Sequence, residues 1–355
     1  MAYFIPKEYI DIDFKTLADK ISAIKKRLNN NLLILGHHYQ KDEVLQFCDK
    51  RGDSFALAKE AAGTSAGMIV FCGVHFMAET ADIVSRDDQK VFIPDPTAGC
   101  FLADCANIQD IEKVWAKLTA LTDTKIIPVT YVNSSAHLKA FTGKHGGLVC
   151  TSSNAEKALK KARQWGDKVF FFPDQHLGRN TAVKMDIPLA RIKLWDPKQG
   201  LSIQEIEEAE IILWNGYCNV HQEFSSNYVD YLRNTYEGIK IIAHPECSYN
   251  VCQKSDFTGS TKEIIDMIEA SPSGTIWGVG TEKHLVNRLQ KEHKDKEIYF
   301  LQDYEPQCIS MSQITENHLL YQLDQLSLGH EINRVMVEKE TAADAKLALE
   351  RMLKL

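Results

Sequence analysis

The sequence predicts an α/β protein with short parallel sheets, and three observations carry that prediction. Short runs rich in Ile, Val, Phe and Leu alternate with amphipathic stretches along the chain. The apolar runs are nearly continuous, as strands covered by helices on both faces require. The rhythm also repeats, which points to three related α/β units in place of one large core.

Ten strand candidates follow in order: 31–39 (NLLILGHHY), 67–73, 90–95 (KVFIPD), 125–133 (KIIPVTYVN), 147–152, 168–174 (KVFFFPD), 210–218, 240–246 (KIIAHPE), 275–282 and 297–303 (EIYFLQD). Between them lie DSFALAKEAAG, SAHLKAFTG, NAEKALKKARQ and STKEIIDMIEA, whose apolar residues recur at helical spacing. The first strand of each unit ends in a polar cluster (HHY, TYVN, HPE), and the third ends in Asp (FIPD, FFPD, FLQD). The units are expected at 1–107, 108–195 and 196–325, with a helical tail at 326–355 packing on the body. Ligands in such sheets gather beyond the carboxyl ends of the strands. Three units facing inward would set those ends around one central cavity.

Composition narrows the function. The 355 residues are 44% hydrophobic and 25% charged, ordinary for a globular chain, with a net charge of −7. That balance argues against a nucleic-acid binder, and the basic stretch KALKKARQ reads as a solvated helix face. No apolar run approaches the ~18 residues of a membrane span. The first residues, MAYFIPKEYIDIDF, lack the apolar core of a secretory signal, so a cytoplasmic location is expected. Nine cysteines, an odd number, fit thiols and metal ligation better than a disulfide framework.

Three of these cysteines stand out: Cys100 in PDPTAGC, Cys218 in WNGYCNVHQEF and Cys308 in QDYEPQC. Cys100 and Cys308 each follow an Asp (Asp95, Asp303) by five residues, as if a duplicated unit aimed each thiolate at a common centre. Three thiolates would leave one coordination position open on a metal. Spacing alone also allows Cys100–Cys105 or Cys247–Cys252 as C-x4-C pairs, although neither has the His-x3–5-His partner that would make a zinc site specific. Cys72 and Cys150 lie in apolar strands and read as core, and Cys48 reads as a structural residue on a helix.

Histidines add acid–base candidates. His37 and His38 end a buried strand and are followed by Tyr39. His221 lies three residues after Cys218, so both would share the first turn of a helix starting there. His244 and Glu246 would project to one side if HPE stays extended, and could serve as an acid–base pair or as a buried ion pair that holds the loop. His176 reads as a loop-fixing residue. GDS (52–54), TSSN (151–154) and GST (259–261) each precede a helical pattern, where hydroxyls and N–H groups either cap the helix or bind an anion. One such motif per unit fits a small polyanionic substrate.

Taken together, GHHYQ, GDS, FMAETA, AGC, VTYVNSSA, CTSSNA, PDQHLGRN, WNGYCNVHQEF, HPEC, GST, VGTE and the late Cys occur in an order that closely resembles the quinolinate synthase family, from about residue 30 to residue 325. The resemblance implies three homologous α/β sandwich domains around a pseudo-threefold axis, with the active site at the central junction. It implies a [4Fe–4S] cluster on Cys100, Cys218 and Cys308 with one open iron acting as a Lewis acid. The implied reaction condenses iminoaspartate with dihydroxyacetone phosphate to give quinolinate, phosphate and two waters in NAD biosynthesis.

The same resemblance assigns the remaining roles. His37, Ser54 and Ser152 would hold the carboxylates, with Ser153 an alternative to Ser152. Tyr39 would assist a keto–aldo shift, and Tyr131 and Asn133 would orient the intermediate. Glu246 would be the main base beside His221 and His244, and Ser260 and Thr261 would take the phosphate. L-aspartate oxidase would be a functional partner, alongside the iron–sulfur assembly machinery. The chain departs from relatives with a C-x-x-C-x-x-C run around the third ligand, since only Cys308 is present here. Two other classes compete: a zinc-dependent hydrolase or lyase, and an iron–sulfur sensor or electron carrier. A carrier would ordinarily close all four irons with protein ligands.

Overall fold

The computed structural model describes residues 3–196 and 198–355. Strands β1 (Leu32–His37), β2 (Lys50–Gly52), β3 (Met68–Cys72) and β4 (Lys90–Phe92) come first. Then follow β5 (Ile126–Tyr131), β6 (Leu148–Cys150), β7 (Lys168–Phe172), β8 (Ile192–Trp195) and β9 (Ile211–Trp214). β10 (Lys240–Ala243), β11 (Phe257–Thr258), β12 (Ile276–Gly280), β13 (Glu297–Phe300) and β14 (Arg334–Val335) complete the strands. They form three sheets with orders β14-β4-β3-β1-β2, β6-β5-β7-β9-β8 and β11-β10-β12-β13. Among the described residues, every pairing between these strands is parallel except β14 with β4. The α/β class with short parallel sheets, read from the apolar runs, is what the chain adopts.

The chain divides into two compact units. One comprises Met1–Cys100 with Gln307–Glu338 and carries the first sheet. The other comprises Phe101–Pro306 with Lys339–Leu355 and carries the second and third sheets. The tail contributes to both. Helix Glu316–Ser327 packs on helix Phe14–Leu28 in the first unit, where Tyr9 donates to Asp324 at 2.6 Å. Helix Lys339–Leu353 packs on helix Ala136–Lys144 in the second. There a Cβ on Gly143 would stand 1.9 Å from the Asp344 carbonyl oxygen, so only glycine lets the two backbones approach.

Packing sets the order and caps set the ends. In the second sheet Phe170, Phe172, Ile212 and Trp214 share one buried cluster with Leu138 and Ile206. Each such side chain stabilises by about 1.5–3 kcal/mol, against about 1 kcal/mol for a helix cap. Helix Ala155–Trp165 buries Ala155, Ala158, Leu159 and Ala162, an i, i+3, i+4, i+7 stripe, and leaves Lys157, Lys160 and Lys161 exposed. Helix Thr261–Ala270 starts with a capping box between Ser260 and Glu263.

Several local expectations change. Cys48 lies just past helix Asp42–Leu45, in the connection to β2, and not on a helix. Strands β2, β8, β11 and β14 lacked a usable pattern, because each has only two to four residues and Lys50–Gly52 is polar. The run 210–218 pairs in the second sheet, with Ile211 opposite Val169 and Ile192. An apolar run carries no label for its partner strand.

Candidate functional site

Within the second unit, the ends of β5, β9, β10 and β12 bring six side chains together. β10 stops at Ala243, and His244–Cys247 forms a turn closed by Cys247 N–H on the His244 carbonyl at 2.9 Å. HPE is therefore a turn and not an extended segment: His244 N–H makes the last ladder bond, to the Gly280 carbonyl on β12, and the chain then folds back on itself. The turn still places His244 Nδ1 4.0 Å from Glu246 Oε2.

The loop after β9 supplies the next pair. Gly216 bridges to Asp174, and Gln175 N–H donates to the Gly216 carbonyl at 2.9 Å. A Cβ on Gly216 would meet the Pro173 carbonyl oxygen at 2.3 Å, so the loop can lie this close only with glycine. From there the chain turns into a short 3-10 helix, His221–Glu223, with Gln222 N–H on the Cys218 carbonyl at 3.2 Å. Cys218 and His221 thus share a single turn, as their spacing suggested. Gln222 Nε2 donates to the Glu246 carbonyl at 2.7 Å and ties this turn to the next.

The resulting geometry is tight. His221 Nδ1 lies 2.8 Å from Glu246 Oε2 and 3.1 Å from Cys218 Sγ. Its Nε2 lies 3.4 Å from Thr281 Oγ1, and its ring stacks on His244 with centroids 4.5 Å apart. Tyr131, at the end of β5, hydrogen-bonds to Glu246. His221, His244 and Glu246 are buried, and one potential ligand atom each from Cys218, His221 and Glu246 all lie within 4.8 Å of one another. Burial alone would push the Glu246 carboxyl up; the His221 and His244 rings and the His221 and Tyr131 hydrogen bonds outweigh it and hold it at about 2. A buried carboxylate needs such partners, because an unpaired charge there is costly.

Asp174, after β7, was marked only by its strand-ending position. It is fully buried, and its Oδ1 accepts from His176 N–H at 2.7 Å and Leu177 N–H at 2.9 Å. Burial and the neighbouring Glu246 charge hold its carboxyl well above the usual range. His176 is pushed down to about 4 by burial and by Arg179. Thr281, in VGTE, was not singled out in sequence, although its place beyond β12 was the available signal.

The first unit holds its candidates separately. His37 ends β1, is buried, and accepts Tyr39 N–H on Nδ1 at 3.1 Å. That bond leaves Nε2 as the protonated nitrogen of the neutral ring. Tyr39 lies edge-on to His37 at 4.8 Å. Ser54 opens helix Ser54–Gly63, but Asp53 does the capping, accepting Ala56 N–H at 2.8 Å. Cys100 follows a turn organised by buried Asp95, whose Oδ1 accepts from Thr97 N–H at 2.8 Å and Thr97 Oγ1 at 2.7 Å. The matching Asp303 is exposed and builds no such turn, so the shared Asp-to-Cys spacing does not reflect a shared local structure. Cys308 precedes helix Ile309–Gln313, with Ser312 Oγ on its carbonyl at 3.0 Å.

Of the hydroxyl motifs, Ser260 serves as an N-cap, accepting Glu263 N–H at 3.3 Å, and Thr261 begins the helix, buried. Ser152 and Ser153 are half-buried in the turn before helix Ala155–Trp165. Asn133 is half-buried two residues beyond β5.

The thiols sort by environment. Cys48 Sγ lies 3.6 Å from the Val44 carbonyl and hydrogen-bonds to Cys72, and this bond with burial pushes the Cys72 thiol up. Burial raises Cys150 and Cys247, takes Cys252 to about 12, and raises half-buried Cys105. A raised thiol resists becoming the thiolate that binds metal. Cys100, Cys218 and Cys308 are all half-buried, and none of the nine cysteines is in a disulfide. For Cys218, a soft sulfur donor suits iron–sulfur or zinc, whereas His221 is already engaged with Glu246. No helix among the described residues is long and apolar enough to cross a membrane.

Residues 19–354 match the family described as Quinolinate synthetase A protein. The chain is 48% identical over 354 residues to quinolinate synthase of Geobacillus kaustophilus (strain HTA426), covering 99% of this chain and 96% of the relative. It is 47% identical over 353 residues to that of Bacillus cereus (strain G9842), covering 98% and 96%. With the enzyme of Rhodopirellula baltica it shares 48% over 363 residues, covering 98% and 93%.

Proposed function

The chain belongs to the quinolinate synthetase A family, and on that premise we propose that it is a quinolinate synthase of NAD biosynthesis. Its substrates are iminoaspartate and dihydroxyacetone phosphate, and its products are quinolinate, phosphate and two waters. The observation that carries this reading is half-buried Cys218 beside buried His221 and Glu246, with Tyr131 and His244 around them. It pairs one soft metal donor with a proton-handling carboxylate and two imidazoles.

Cys100, Cys218 and Cys308 would hold a [4Fe–4S] cluster, which when bound supplies an open iron as Lewis acid for loss of hydroxide. The chain's own residues do the rest. Glu246 accepts from His221 and Tyr131, orients both, and offers the basic site for protons leaving carbon. His221 and His244, stacked beside it, pass protons between Glu246 and the substrate. Asn133 orients the intermediate from the end of β5. His37 and Tyr39, with Ser54 and Ser152, serve the carboxylates and the keto–aldo shift, and Ser260 and Thr261 take the phosphate. Iminoaspartate hydrolyses in water, so an L-aspartate oxidase supplying it is the functional partner, and iron–sulfur assembly proteins supply the cluster.

A second reading rests on the same trio: Cys, His and Glu within 4.8 Å could hold one zinc ion in a hydrolase or lyase. Metal analysis of protein purified without oxygen separates the two. About four irons with matching sulfide per chain are expected. One zinc and no sulfide would favour the second reading.

A further inference from the structure

A cavity of about 330 Å³ in the second unit is lined by the start of helix Ala155–Trp165, by helix Gln175–Lys184 and by the turn into helix Thr261–Ala270. Lys157, Lys160 and Lys184 line it. Glu156 pairs with Lys160 at 2.6 Å and with Lys184 at 3.5 Å, whereas no described residue pairs with Lys157. Glu263, the other acid there, is committed to Ser260 N–H at 2.7 Å. Against the chain's net charge of −7, this spot is locally cationic.

The helix start beneath Lys157 is uncapped. Its N-cap, Asn154, makes no side-chain cap bond, because its Oδ1 accepts Thr151 N–H at 2.7 Å. That bond fixes the amide, and Asn154 Nδ2 has no hydrogen-bond partner. Asn180 mirrors it. Its Nδ2 donates to the Pro245 and Cys247 carbonyls at 2.8 Å each, and its Oδ1 has no partner. Both side chains are more than nine-tenths buried and both line the cavity. The wall therefore holds one uncommitted donor, one uncommitted acceptor, an uncapped helix start and an unpaired lysine, a combination suited to an anion that also carries a hydroxyl.

We propose that this cavity is an outer docking site for a small hydroxylated phosphate monoester, with Lys157 and the start of helix Ala155–Trp165 on the phosphate. Asn154 Nδ2 adds a donor to it, and Asn180 Oδ1 accepts from the ligand's hydroxyl. Pro245 lines the same cavity and is the residue before Glu246, so a ligand docked here abuts the turn that carries the proposed base. Ser260 also lines the cavity, so the outer site held by Lys157 borders the residue assigned to the phosphate in the reaction. The inference rests on the synthase reading only for the identity of the ester, dihydroxyacetone phosphate.

Calorimetric titration of the full chain, purified without oxygen, with inorganic phosphate and separately with dihydroxyacetone phosphate tests it. Both are expected to bind saturably, the ester at least as tightly. Lys157→Glu should weaken both about tenfold and Lys157→Arg should restore them, with affinity falling as salt rises. Binding unchanged in Lys157→Glu overturns the proposal, as does binding of inorganic phosphate without the ester. Because this readout is independent of turnover, a protein that binds through Lys157 yet makes no quinolinate would overturn the synthase reading and leave the docking site standing.

Discussion

Glu246→Gln is expected to slow quinolinate formation by about 10²–10⁴-fold, the usual contribution of one general acid–base group. The substitution keeps the shape of a side chain that is only 2% exposed and removes its charge. It also replaces one acceptor oxygen with a donor facing His221 and Tyr131, so the ring that now presents Nδ1 to Oε2 at 2.8 Å must change its proton arrangement. Stability should fall as well, because the His221 and His244 rings that hold the carboxylate charged lose their counter-charge. Turnover, circular dichroism and iron content on one preparation separate these effects. A variant that folds, keeps its metal and retains more than about half the wild-type rate would remove Glu246 from the proton chemistry.

Cys100→Ser, Cys218→Ser and Cys308→Ser should each lower iron from about four per chain to about one or fewer and abolish turnover, because an alcohol is a poor, hard replacement for a thiolate. The informative control is Cys105→Ala. Cys105 is also half-buried and pairs with Cys100 at C-x4-C spacing, but burial pushes its thiol up and Sγ lies 3.8 Å from the Tyr217 carbonyl. It should keep its iron. Iron and sulfide assays with electron paramagnetic resonance read all four variants. Iron lost from Cys105→Ala and kept in Cys308→Ser would reassign the ligands to the C-x4-C pair.

The contrast between these residues shows what was legible in sequence. Alternation of apolar and amphipathic runs gave the parallel α/β class, since both helical and strand periodicity are local. The i, i+3 relation of Cys218 and His221 survived because it too is local. HPE does not stay extended, because the strand ends where His244 N–H makes the last bond to the partner strand at Gly280, a tertiary fact. Asp95 and Asp303 look alike in sequence, yet only Asp95 is buried and builds a turn. Asp174 and Thr281 escaped singling out because their importance lies in what surrounds them: Glu246 for one, His221 for the other.

The most direct test is product formation. Protein purified and assayed without oxygen, with iminoaspartate generated in the reaction and dihydroxyacetone phosphate added, should accumulate quinolinate and release one phosphate for each molecule formed. A chain carrying its full iron and sulfide that leaves dihydroxyacetone phosphate unconsumed under those conditions would contradict the assignment.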